Sequence, residues 1–258
     1  MLLAVDVGNT HTVFALCSDN KIEDSWRFTT DHQRTEDEYA SQLLYLMREQ
    51  GHSSESVKGA VISSVVPDAL FPLRQCCKKY FDCDPFILGR SELDIGMNVK
   101  IDRPDELGAD RLVNAVAAWQ EYQRSLIVID FGTATTFDVV NGNGDYVGGL
   151  IAPGVMLSLE ALQQAAAQLH GITVKRPEKV VGTNTTTAMQ SGVYYGYLGL
   201  IEGIVSRIKQ EHDADMPVIA TGGLAPLYSE SSDLIDKVDP ELTMRGLQLI
   251  YQRNVTPS

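Results

Sequence analysis

The chain opens on an apolar run, Leu2 to Val5, that breaks at Asp6 and Gly8-Asn9-Thr10 and resumes at Val13-Phe14-Ala15-Leu16. Two short apolar runs around a Gly-Asn pair predict a β-hairpin whose turn displays small polar side chains. Lys21 to Asp31 continues as a further strand. The period then lengthens: in Thr35 to Gly51, Tyr39, Leu43, Leu46 and Met47 share one helical face, acids fill the first turn and Gly51 ends it. Gly59 to Pro67 reads as a buried strand running into a Ser-Ser turn, about Pro67 to Tyr80 as a helix, and Pro85 to Gly89 as a strand. That alternation predicts an α/β lobe.

The second half repeats the scheme. Glu106 to Tyr122 is a loop feeding a helix, Leu126 to Asp130 a strand, and Phe137 to Val140 its hairpin partner. The Gly-rich segment at 141–149 is expected as a turn, and Ile151 to Gly154 leads to a helix of about Val155 to Leu169. A long helix of roughly Thr186 to Gln210, a strand at Pro217 to Gly223 and a last helix near Pro240 to Arg253 complete the chain. Shifting the opening by 124 positions lays it on Leu126 to Val140, with Asp6 on Asp130, Gly8 on Gly132 and Thr12 on Thr136. A motif repeated at this distance is too widely spaced for a solenoid and predicts two related lobes facing one another across a cleft.

Composition narrows the chemistry. A net charge of −13 argues against a sequence-independent grip on nucleic acid, which needs Lys and Arg to displace counterions. An anionic ligand therefore needs local help from backbone N–H groups, a metal ion or a few placed cations. The longest apolar stretches are strand-sized, far from the roughly 20 residues that span a bilayer. No secretory signal is read at the start, which enters a strand directly. Cys17, Cys76, Cys77 and Cys83 lack zinc spacing, and reduced thiols in the cytoplasm are expected.

No P-loop motif is present, and the Gly-rich segment lacks dinucleotide-binding spacing. A Gly turn with Asn and Thr remains a phosphate cradle, because Gly lets backbone N–H groups approach an anion closely. An Asp at its mouth suits the cation that bridges to the phosphate, and Mg2+ commonly uses one or two carboxylates and keeps several waters. The competing reading of either Asp is an Asx-turn closing its own hairpin; the repeat in register favours the cradle. Ala220 to Leu227, with paired Gly222 and Gly223, follows a strand and permits either the flat approach of an adenine or a sharp connection to a helix.

Asp6–Thr12 (DVGNTHT), Ser63–Pro67 (SSVVP), Gly108–Ala118 (GADRLVNAVAA), Asp130–Asp138 (DFGTATTFD), Gly148–Gly154 (GGLIAPG) and Thr221–Gly223 (TGG) together resemble the type III pantothenate kinases, in order and over essentially the whole chain. The D-x-G-N/T turns are shared with the acetate and sugar kinase, Hsp70 and actin superfamily, whereas the GADR segment is much more specific. The resemblance implies two duplicated ribonuclease-H-like, actin-like ATPase lobes with mixed sheets flanked by helices, one over 1–115 and one over 116–258. The second would carry the adenosine turn and the dimer-forming helices.

It also implies transfer of the γ-phosphoryl of ATP to the 4′-hydroxyl of pantothenate, the first step of coenzyme A synthesis, in a cytoplasmic homodimer with a composite site. Asp110 matches the catalytic base, and Gly108, Ala109, Asp110 and Arg111 the pantothenate contacts. Arg111 is open to two readings, a fork on the pantothenate carboxylate or an ion pair with Glu106 or Asp102. Asp6, Val7, Gly8, Asn9, Thr10, His11, Thr12 and Val13 match the first ATP-binding segment, with Asp6 organising Mg2+ through water and His11 leaning to solvent. Thr133 matches a further ATP contact, and Gly222 and Gly223 are assigned to the adenosine side. Asp130 matches a site for a monovalent cation, K+ or NH4+, and Thr185 a substrate contact lent by the neighbouring subunit. Ile101 stands where the family often has an aromatic pantothenate contact. Two other classes are weighed: a sugar or acetate kinase of the same superfamily, against which the length and the intact GADR count, and a nucleotide-binding accessory protein without turnover, against which the intact Asp6, Asp110 and Asp130 count.

Overall fold

The computed structural model describes residues 1–19, 21–89, 93–165 and 172–255. The chain divides into two compact units, Met1–Glu121 together with Glu241–Ser258, and Tyr122–Pro240.

The first unit is built on a mixed sheet of β1 (Leu2–Val7), β2 (His11–Ser18), β3 (Lys21–Thr29), β4 (Gly59–Ser64) and β5 (Phe86–Ile87), in the order β3-β2-β1-β4-β5. β1 pairs antiparallel with β2 and parallel with β4, as a hairpin and a helical crossover require. Alternation along β1 sends Leu3, Val5 and Val7 into a core with α1 (Glu36–Glu49) and α2 (Pro67–Phe81). Leu2 and Ala4 face the other way, toward Val113 and Val116 of α3 (Ala109–Tyr122) and Met244, Leu247 and Ile250 of α7 (Leu242–Val255). Helix α1 starts at a capping box, in which Glu38 N–H donates to Thr35 Oγ1 and Thr35 N–H donates to Glu38 Oε2. Such a cap contributes about 1 kcal/mol, whereas truncating a fully buried Leu such as Leu43 costs roughly 2–5 kcal/mol. Burial of the apolar stripe therefore outweighs the cap in holding this helix.

The second unit repeats the plan. Its sheet is β6 (Leu126–Phe131), β7 (Ala134–Val140), β8 (Tyr146–Pro153), β9 (Val218–Gly222) and β10 (Lys237–Val238), in the order β10-β9-β6-β7-β8. Reading outward from the first strand, it has the same neighbours with the same parallel and antiparallel senses as the first sheet. Ile127, Ile129, Phe131, Phe137 and Val139 pack against Tyr194, Tyr197, Ile201, Val205 and Ile208 of α5 (Thr185–Glu211). Helix α4 (Val155–Ala165) leaves β8, and α6 (Ala225–Ser229) follows β9. The last turn expected of the helix after Val155, beyond residue 165, lies outside the described residues.

Three expectations are corrected. The division falls after Glu121 rather than at 115, because α3 runs unbroken to Tyr122. The C-terminal helix, expected with the second lobe, belongs to the first. Besides its apolar contacts, Thr243 Oγ1 donates to Asn114 Oδ1 at 2.7 Å and Arg245 pairs with Glu121 at 3.0 Å. Finally, the Gly-rich segment is a turn only over 141–145: β8 begins at Tyr146, accommodating Gly148 at φ 141° beside a register shift at Val139/Val140.

Candidate active site

In each unit the signature Asp stands one residue before the end of the first strand. Asp6 lies opposite Val13 on β2 and beside Ser63 on β4; Asp130 lies opposite Thr136 on β7 and beside Thr221 on β9. Alternation turns Asp6 to the face covered by α3 and α7, where Ser63 Oγ is fully buried and lacks a hydrogen-bond partner. A half-buried carboxylate beside an unsatisfied hydroxyl is a polar corner in an otherwise apolar face.

The two turns differ in length. Val7 pairs with Thr12 across residues 8–11, whereas Phe131 pairs with Thr135 across 132–134. The second turn is one residue shorter, so the structural counterpart of Thr12 is Thr135 rather than the Thr136 that the constant shift gives. Gly8 N–H donates to His11 O at 2.9 Å, and Gly132 N–H to Ala134 O at 3.0 Å. Asn9, Thr10 and His11 are exposed at the first tip, as is Thr133 at the second. Val7 and Thr12 are buried, so their side chains shape the turn from beneath and only their backbone is available to a ligand.

Asp110 occupies the first turn of α3, on the sheet face that carries Asp6. Gly108 O accepts from Leu112 N–H and so closes the helix start, and Asp110 Oδ1 accepts from Arg111 N–H at 2.9 Å. A Cβ on Gly108 would stand 2.6 Å from that oxygen, so the glycine leaves room for the carboxylate where it stands. Glu106, one alternative partner for Arg111, is paired with Arg103 at 2.8 Å.

In the second unit Asp130, Gly132, Thr133 and Gly222 gather at one end of the sheet. Around the position of a Cβ on Gly223 there is open space within 4 Å. Phe131 stacks on Tyr228, and Tyr228 on Tyr194, with centroids 5.4 Å apart in both pairs, which anchors the strand end that bears Asp130. Burial pushes the Tyr228 hydroxyl well above its ordinary range. Thr185 is the first residue of α5 and exposed, next to the Asn184 cap whose side chain accepts from Thr187 N–H at 2.9 Å.

Sequence reasoning assigned no role to the buried Ser63 hydroxyl, which lies in a segment read as a turn and as one motif of the resemblance. Among the described residues no group of three or more His, Cys, Asp or Glu could hold a metal ion. One carboxylate beside a glycine turn nevertheless fits Mg2+, which commonly uses one or two carboxylates and keeps several waters.

The family model of type III pantothenate kinases matches residues 2–207. The chain belongs to that family. Type III pantothenate kinases of Paramagnetospirillum magneticum and Rhodospirillum rubrum are 51% and 53% identical to it, covering 100% and 98% of this chain and 99% of each relative. Among solved structures, a protein of Sinorhizobium meliloti proposed to be a 2-dehydro-3-deoxygalactonokinase superposes with a TM-score of 0.63 at 12% identity, covering 100% of this chain and 98% of the other. The ethanolamine utilization protein EutJ of Carboxydothermus hydrogenoformans gives 0.53 at 18%, covering 96% and 89%. At these identities the likenesses are of fold alone. As a member of the type III pantothenate kinase family, the chain is a phosphotransferase whose phosphoryl donor is ATP.

Proposed function

We infer that the chain phosphorylates the 4′-hydroxyl of pantothenate with ATP, and that Asp110 is the general base. The observation that supports this role most directly is the start of α3: Gly108 leaves room for the Asp110 carboxylate on the face that carries Asp6. In the reaction, the 4′-oxygen attacks the γ-phosphorus while its proton passes to Asp110. The bond from that phosphorus to the β,γ-bridging oxygen breaks, and ADP leaves. Phosphoryl transfer asks the protein mainly to position groups and offset charge, which suits glycine turns and a few carboxylates.

Residues 6–13 and Thr133 would hold the triphosphate, with Gly222 and Gly223 on the adenosine side. Asp6 would hold Mg2+ through water and Asp130 a monovalent cation, K+ or NH4+. These cations would offset the charge that ATP brings to an acidic protein. Gly108, Ala109 and Arg111 would contact pantothenate, the guanidinium as a planar fork on its carboxylate.

The chain would work as a homodimer, with Thr185 reaching the partner's pantothenate. Exposed Leu150 and Ile151 of β8 and Met156, Leu157 and Leu162 of α4 supply an apolar surface that a second copy would cover. No described helix is long and apolar enough to cross a membrane. With the strongly negative charge, this favours a cytoplasmic enzyme with neither membrane nor nucleic acid as partner.

The test is a coupled assay with ATP and Mg2+ in K+ or Na+, offering pantothenate, acetate or a panel of sugars. ADP formation that depends on pantothenate and rises with K+ is expected. Turnover of a sugar or acetate alone would overturn the substrate assignment.

A further inference from the structure

The residue that follows the third strand of each unit braces that unit's glycine turn. In the first unit it is Thr30: its N–H donates to Thr10 O at 3.0 Å, and its hydroxyl donates to Gly8 O at 2.7 Å. In the second it is Gly154, whose N–H donates to Thr133 O at 3.1 Å.

A peptide unit is planar and trans, so its C=O and the following N–H point in opposite directions. Holding Gly8 O and Thr10 O toward Thr30 therefore aims the N–H groups of Asn9 and His11 away from it. Both residues are exposed, so a ligand can approach this part of the turn. Backbone N–H groups gathered in a turn offer donors to an anion.

The threonine hydroxyl has no counterpart in the other turn. Its single proton goes to Gly8 O, so the 2.9 Å contact between the Thr12 and Thr30 hydroxyls is a donation from Thr12 to Thr30. In the second unit Gly154 has no side chain. A Cβ there would stand 2.1 Å from Thr133 O and 2.8 Å from Gly132 O. The hydroxyl of Thr135, the counterpart of Thr12, is accordingly buried with no partner. The backbone closes directly on the shorter turn, whereas in the longer one the Thr30 side chain fills the gap.

We propose that Thr30 is a positioning residue for the first turn, fixing the peptide planes of Gly8-Asn9 and Thr10-His11 so that their amides receive the triphosphate of ATP. This rests on the reading that the first turn binds phosphate. Thr30→Val removes the hydroxyl at nearly constant volume, and Thr30→Ser restores it.

The measurements are the Kd for ATP by titration calorimetry, the separate KM values for ATP and pantothenate, kcat and the melting temperature. In Thr30→Val, a lost hydrogen bond should weaken ATP binding and raise its KM about tenfold, with the pantothenate KM unchanged and binding restored in Thr30→Ser. Unchanged ATP binding in Thr30→Val, or equal losses for both substrates that Thr30→Ser does not rescue, would overturn the proposal. Asn9→Pro, which deletes one of the presented N–H groups, separates the two ideas. If Asn9→Pro loses ATP binding while Thr30→Val keeps it, the turn binds phosphate and Thr30 does not position it. If Asn9→Pro also binds ATP normally, the reading of the turn itself fails.

Discussion

Asp130 Oδ1 lies 2.8 Å from the position that a Cβ would take on Gly222. The same Cβ would meet Phe131 O at 2.6 Å, and Gly222 holds φ at 90°, a region that side chains disfavour. Strand β9 can therefore run this close to the Asp130 carboxylate only with a glycine at its end. Gly222→Ala should combine a backbone cost of roughly 1–3 kcal/mol with displacement of the carboxylate. We expect a melting temperature lower by several degrees and a higher K+ concentration for half-maximal activity. A variant with an unchanged K+ response would separate Gly222 from the proposed cation site.

Much of this corner is legible in the sequence. The carboxylates at the ends of buried strands, the glycines after them and their repetition follow from residue type and spacing. The shorter second turn does not, because a one-residue deletion beside Thr135-Thr136 leaves the spacing of Asp and Gly intact. Strand β8 was hidden by Gly148 and Gly149, which weaken any strand signal. Helix α7 has a clear apolar stripe, but a stripe does not say which of two similar sheets it covers. The bracing by Thr30 depends on pairing between β2 and β3, and no local pattern carries it.

Asp110 should separate binding from chemistry. Asp110→Asn keeps the size and the acceptor for Arg111 N–H but cannot take the proton from the 4′-hydroxyl at neutral pH. General-base contributions are typically 10²–10⁴-fold, so kcat should fall by about that range. The ATP Kd and melting temperature should stay near their original values. Near-normal turnover in a folded, ATP-binding Asp110→Asn protein would remove Asp110 from the role of base.

The apolar surface of β8 and α4 gives a test of assembly. Ile151 is 65% exposed, a large aliphatic side chain on an edge strand. If a second copy covers it, Ile151→Asp places an uncompensated charge in an apolar interface, where desolvation costs several kcal/mol. Light scattering after size exclusion should then show monomers for Ile151→Asp and dimers for the original chain. Activity should fall with dissociation if Thr185 serves the partner's site. A fully active monomer would mean that each chain carries a complete site.

The thiols give a prediction with a definite pH direction. All four cysteines are free. Burial, reinforced by Glu241, pushes the Cys17 thiol up to about 12, and burial with Glu36 and Asp37 does the same for Cys76, also to about 12. Cys83 moves the other way, because a hydrogen bond from the Cys77 thiol favours its thiolate, and it is only partly buried. The thiolate is the reactive form. Iodoacetamide at pH 8 should therefore label Cys83 first, with Cys17 and Cys76 protected until the chain unfolds. Cys77→Ala, which removes the donor, should slow that labelling. For Cys17 and Cys76 the folded state holds a proton that the unfolded state releases near its ordinary value of about 8.5. Their contribution to stability is thus fully present below about pH 8.5 and is lost as pH rises toward 12. Melting temperatures should fall over that interval, less steeply in Cys17→Ala than in the original chain once each is referred to its own value at pH 7. First labelling at Cys17 in the native protein, or identical slopes for the two chains, would contradict this assignment of buried and accessible thiols.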